Sequence, residues 1–256
     1  MITARLEHFS VEDLHLPRET ELTQFILTSK IDMNGRYFVT GFRGIGWTGY
    51  IANRFLIDQL GGERIGYLEF EGMSPVVRLW ERRISYPYDL LLAGENVFMA
   101  SEASFPQEEV MQITGEIARW ILESGFRAGI VIGGLTNAVK RDEDPPLMGV
   151  ATSSARPLME EYDIEWMLDD LNIVGPLAGL LFHAEKIGLP LLALLPFAES
   201  RPDRKAASVA IDKLAEILAI EVDTEELIRA EHLERKIQQM ITAQIKSEDS
   251  ADHHYM

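Results

Sequence analysis

The 256-residue chain contains no cysteine. That excludes a disulfide framework, thiolate catalysis and thiolate-ligated metal, and it fits a reducing compartment. Positive charge is also scarce: 24 Lys and Arg stand against 41 Asp and Glu, a formal net charge of -17. Nucleic acids and anionic membranes need a basic face that releases counterions, so neither is expected as a partner. Long hydrophobic runs are missing as well. The longest, residues 189–197, is broken by Pro190 and Pro196 and falls far short of the roughly 20 apolar residues of a spanning helix. Residues 1–14 interleave Arg5, Glu7, Glu12 and Asp13 with apolar side chains, which is not a signal-peptide core. A soluble, cytoplasmic protein is the expectation.

What is present suits one large α/β domain: 46% of residues are hydrophobic and 25% charged, enough to bury a sizeable core. Apolar runs at 37–40, 65–70, 97–100, 128–132 and 191–195 read as strands, and 76–80 with 84–88 as a hairpin-like pair. Helical spacing joins Ile51, Ala52, Phe55, Leu56 and Leu60, then Val110, Ile113, Ile117 and Ile121, then Leu177 to Ala184, then Ala207 to Leu218. Ser104 and Gln107 have capping-box spacing ahead of the second helix. Residues 136–170 lose periodicity and read as an excursion or lid with one short strand near 148–152. Strands alternating with helices predict a mostly parallel sheet with helices on both faces. The expected organisation is a core domain over 1–220, an amphipathic helix over 221–246 and a flexible tail over 247–256. In that helix Leu233, Ile237, Met240, Ile241 and Ile245 form one apolar stripe, suited either to the chain's own core or to another subunit.

Gly41, Gly44, Gly46 and Gly49 crowd the turn between the first strand and helix. Gly44, Gly46 and Gly49 alone spell G-x-G-x-x-G, the dinucleotide fingerprint, and Glu69 lies near the distance for an acid that holds a ribose hydroxyl. A purely structural turn is the leading reading and a nucleotide- or nucleoside-binding site the alternative. Catalytic signals are weak. Neither G-x-S-x-G nor H-E-x-x-H occurs. His183 on an apolar helix reads as a satisfied core histidine. Glu71 and Glu102 could form a carboxylate pair, although scattered surface acids are the simpler reading. The strand ends at Gly41, Glu71, Ser101-Glu102, Gly133-Gly134 and Glu199-Ser200 are candidates for a shared crevice.

The glycine turn, Ser74-Pro75-Val76-Val77, Gly133-Gly134-Leu135, and Gly179-Leu180-Leu181 leading to Ile187-Gly188-Leu189-Pro190 occur in an order and spacing that resembles the archaeal proteasome assembly chaperone family of the PAC type. The resemblance implies an α/β fold related to purine nucleoside phosphorylases, a homo-oligomer, and no enzyme activity or cofactor. It also implies partnership with the proteasome core, through its α subunits, or with another assembly factor. Several members of such a family end in a hydrophobic-tyrosine-any-residue tail, which would fall here on His254, Tyr255 and Met256. His254 departs from the hydrophobic position, which puts the docking mode in question.

Overall fold

The computed structural model describes residues 23–80 and 82–229. The chain runs through β1 (Thr23–Leu27), β2 (Tyr37–Gly41) and α1 (Thr48–Gln59), then β3 (Glu63–Phe70) and the short strands β4 (Arg78–Trp80) and β5 (Arg83–Ser85). A hairpin of β6 (Asp89–Ala93) and β7 (Asn96–Met99) precedes α2 (Val110–Glu123) and β8 (Ala128–Ile132). An excursion holds β9 (Leu135–Thr136), β10 (Leu147–Ala151) and α3 (Arg156–Glu161). α4 (Pro176–Ile187), β11 (Leu191–Ala198) and α5 (Arg204–Leu218) follow. Residues 225–229 are helical, and Leu227 is buried in the core. The remainder of the expected C-terminal helix, its apolar stripe and the tail lie outside the described residues.

Among the described residues, one nine-stranded sheet runs β1-β3-β6-β7-β2-β8-β11-β10, with β9 beside the end of β11. Its centre, β7-β2-β8-β11, is parallel. Both faces of that centre are covered, so β2, β8 and β11 are buried along their whole length, which is why they read as continuous apolar runs. Pro196 fits inside β11 because pairing with β8 ends at Leu194 and pairing with β9 starts at Phe197, leaving a gap in the ladder where an amide donor is not called for. One face carries α1, α3 and α5 over Val39, Ile130 and Leu192. The other carries α2 and α4 over Phe38, Val131 and Leu191. The two helices on that second face approach closely, since a Cβ on Gly179 would sit 2.4 Å from Thr114 Oγ1.

The sheet is mixed, a correction to the mostly parallel expectation. β1, β3 and β6 pair antiparallel on one side and β10 on the other. The cause is the β6–β7 hairpin, whose Ala93 and Asn96 face each other across a two-residue turn with Gly94 at φ +57°, the backbone such tight turns favour. It inserts between β2 and β3, so the β2-α1-β3 crossover spans two extra strands. The Ser104–Gln107 capping box does not form either. α2 starts at Val110 with no side-chain cap, because Phe105 is drawn into the core against Tyr88, ring centroids 4.9 Å apart, and holds the preceding segment out of the helix.

The first turn of α1 rests directly on strand backbone. A Cβ on Gly41 would lie 2.2 Å from the Gly49 carbonyl oxygen, and one on Gly49 would lie 2.1 Å from the Ile132 carbonyl oxygen. Gly46, at φ +65°, faces the Ala198 Cβ at 2.6 Å, whereas Gly44 faces open space. Asp203 ties the same turn to α5: its backbone N–H donates to the Gly46 carbonyl at 2.8 Å, and its carboxylate accepts from the Glu199 and Ala206 amides, each at 2.9 Å. That carboxylate is the N-cap of α5. Gly49→Ala must therefore push two backbones apart and is expected to cost about 3 kcal/mol or more, while Gly44→Ala changes stability by less than about 0.5 kcal/mol. Urea unfolding of the two variants measures the difference, and equal midpoints would refute the close-packing account.

Candidate functional site

Beyond the C-terminal ends of β2, β7 and β8 the structure builds two features side by side. The first centres on Glu102, just past β7 and only 5% exposed. Its carboxylate accepts a hydrogen bond from the Tyr50 hydroxyl at 2.9 Å. Arg78 Nη1 lies 3.4 Å away, Arg54 Nε 3.6 Å and Arg43 Nη2 3.8 Å. Arg54 also pairs with Asp58 and lies under the Trp80 ring, and Arg43 stacks over Tyr50 at 4.4 Å and Trp47 at 5.4 Å. Three guanidinium groups thus face two carboxylates, a local positive excess in a chain of net charge -17. Trp47 holds left-handed backbone at φ 50°, secured by the hydrogen bond its backbone N–H donates to the Gly44 carbonyl at 3.0 Å.

Arg78 and Trp80 reach the cluster from the inner side of the β4–β5 ribbon, and strand alternation turns their neighbours outward. Val77, Leu79 and Ile84 are 67%, 75% and 58% exposed. The far root of the ribbon is pinned by Arg64, which donates to the Ile84 carbonyl at 2.6 Å and pairs with the buried Asp89 at 2.9 Å. Burial pushes the Asp89 carboxyl above the usual carboxylate range, and Arg64 and the Tyr86 amide pull it back.

The second feature is a cleft of about 360 Å³ between the ends of β2 and β8. Phe42 to Ile45 form one wall, Ile132 to Thr136 another and Leu171 to Leu177 a third, with Leu195 of β11 also in contact. Its lining is mostly apolar.

These placements sort the sequence expectations. The crevice exists at Gly133-Gly134, but Glu71 is exposed at the end of β3, and β6 separates that strand from the strand leading to Glu102. Glu102 is neither a surface acid nor half of a carboxylate pair. It is an ion-pair hub, and its arginines are scattered along the sequence, so no local motif announced it. The turn departs from the dinucleotide fingerprint: Gly46 and Gly49 are packed against protein, and Gly44 alone faces open space. Glu69 lies on β3, separated from β2 by β6 and β7. His183 is half-buried against Gly115, and its Nε2 has no hydrogen-bond partner among the described residues, so it is not the satisfied core histidine expected. Asp203 was missed, although an Asp directly before an amphipathic helix is a legible cap signal. Among the described residues no cluster of three Asp, Glu or His side chains could hold a metal. No described helix is long and apolar enough to cross a membrane. His254, Tyr255, Met256 and the stripe from Leu233 to Ile245 lie outside the described residues.

This is an α/β protein whose strand-end surface carries an arginine-ringed carboxylate, an apolar ribbon and an apolar cleft. The chain belongs to the PAC2 family, whose model matches residues 38–241. The Pyrococcus furiosus protein PbaA, described as an archaeal homolog of proteasome-assembly chaperone, shares the fold with a TM-score of 0.76. It is 23% identical, covering 92% of this chain and 100% of that one. PbaB of the same organism, described as an archaeal proteasome activator, aligns with a TM-score of 0.71 at 19% identity, covering 86% and 98%. An uncharacterised protein of Methanocaldococcus jannaschii is 23% identical over 87% of this chain and 92% of its own length.

Removing the hub acid leaves the buried Arg54 with only the exposed Asp58 as counter-charge, so Glu102→Ala is expected to cost about 3 kcal/mol. Glu71→Ala, at an exposed site, is expected to cost under about 0.5 kcal/mol. Thermal denaturation of both variants checks the contrast.

Proposed function

We propose that this protein is a non-enzymatic proteasome-assembly factor that captures core subunits on its exposed β4–β5 ribbon. The observation that carries the reading is the ribbon itself: a rigidly rooted pair of strands with Val77, Leu79 and Ile84 facing solvent. A contiguous apolar face of this kind marks a protein contact. The arginine cluster beneath it adds a positive field that would steer an acidic partner surface. Membership of the PAC2 family and the likeness to PbaA and PbaB support a proteasome-related partner.

Two further elements belong to the proposal. The segment His254-Tyr255-Met256 contributes a tethered anchor, with the tyrosine ring filling apolar space and its hydroxyl taking a hydrogen bond. The stripe of Leu233, Ile237, Met240, Ile241 and Ile245 joins copies of the chain into a homo-oligomer, so that several weak contacts act together with a gain of about a hundredfold or more.

Capture of cognate proteasome α subunits by the full chain is expected to fall at least about fivefold, or roughly 1 kcal/mol, in the double variant Leu79→Glu with Ile84→Glu. Deletion of residues 254–256 is expected to lower it as well. Undiminished capture by both would defeat the proposal. Light scattering of Ile237→Glu with Ile241→Glu should report a smaller particle than the parent, and an unchanged mass would remove the stripe from the interface.

A further inference from the structure

We infer that the cleft between β2 and β8 is a binding site for a small, uncharged, predominantly apolar organic molecule. Its place in the topology is the first argument. The chain leaving β2 crosses by α1 to β3 on one side of the sheet, while the chain leaving β8 goes to β10 and β11 on the other. α1 lies on one face, and α4, which leads into β11, lies on the opposite face. The direction of strand order therefore reverses between β2 and β8, and open α/β sheets bind ligands in the crevice outside such a reversal.

The walls set the chemistry. Phe42, Ile45, Leu135, Ile173, Leu177 and Leu195 line the space, with Thr136 and Asn172 as polar groups. Among the described lining residues Arg43 alone carries a formal charge, and its guanidinium lies over the Tyr50 ring and toward Glu102. A phosphate or carboxylate in the cleft would be stripped of water against apolar side chains, with the nearest guanidinium, Arg43, already turned toward Glu102 and Tyr50, which is costly. An uncharged occupant matches what the site offers. At Gly133 the lining closes tightly, since a Cβ there would lie 2.8 Å from the side chains of both Leu177 and Leu195. A cleft of about 360 Å³ is the volume of roughly a dozen water molecules, and water held against apolar walls is readily released to such a ligand. Thr136 and Asn172 leave room for one hydroxyl or carbonyl to fix its orientation.

The inference stands apart from proteasome docking and can fail or hold without it. The test titrates the full chain with N-phenyl-1-naphthylamine, an uncharged dye that brightens in apolar surroundings. Saturable binding of one dye per chain is expected. Ile173→Trp or Val139→Phe, both at residues that line the cleft, should fill it and weaken binding at least about tenfold with melting points within about 2 °C of the parent. Leu79→Glu on the ribbon should leave dye affinity unchanged. Adenosine and ATP should neither displace the dye nor raise the melting point, as mass action requires of a ligand that does not bind. Dye binding that is unsaturable, or that survives both filling variants, would overturn the assignment. So would displacement by ATP, which would make the site one for nucleotides, or displacement by proteasome core particles, which would make it a protein-docking pocket.

Discussion

The contact of the Gly49 backbone with the Ile132 carbonyl, and of Gly41 with the Gly49 carbonyl, fixes the geometry on which the strand-end surface is built. A helix ordinarily stands off a sheet by the width of its side chains. Here the first turn of α1 is set down on the ends of β2 and β8 with nothing between. That placement puts Tyr50 and Arg54 within reach of Glu102 and lets Thr48 donate its hydroxyl to the Gly133 carbonyl. Gly46 and Asp203 lock the same turn to β11 and α5 from the other side. Glycines that could have cradled a phosphate are used to bring protein backbone against protein backbone.

The ribbon and the hub acid form a second unit. Outer apolar side chains alone would give a floppy arm, since an isolated two-stranded hairpin is marginal in water. Arg78 and Trp80 tie its inner side to Glu102 and Arg54, and Arg64 with Asp89 holds its root. Buried charge here buys position instead of net stability. An apolar surface held in one place loses less entropy when a partner covers it.

Much of the architecture was legible because the relevant signals are local. The apolar run 128–132 is β8 residue for residue, and Pro176 and Gly188 bracket α4 as its start and stop. Gly133-Gly134 marked the cleft correctly. What escaped were relations between distant segments. The β6–β7 turn at Gly94-Glu95 carries a hairpin signal, yet nothing in the sequence says that this hairpin lodges between β2 and β3. α3 is too short to show a period. Glu102 draws its partners from positions 43, 50, 54 and 78, and only the folded sheet brings these together. The capping box failed because burial of Phe105 outweighs one side-chain hydrogen bond, in line with an aromatic side chain burying far more apolar area than a cap can offset.

The inserted hairpin also governs the sequence of events by which the polypeptide reaches this state. β2 is flanked by β7 and β8, so that Phe38 pairs with Val97 and Tyr37 with Ala128. Neither neighbour is the strand that follows it. A growing chain emerging from the ribosome therefore carries a mostly apolar strand whose second edge stays unpaired until β8, just beyond α2, has been made. Closure of such remote pairings is slow, and open strand edges invite misassembly meanwhile. The middle of the sheet is completed only once β8 and β11 have joined β7 and β2.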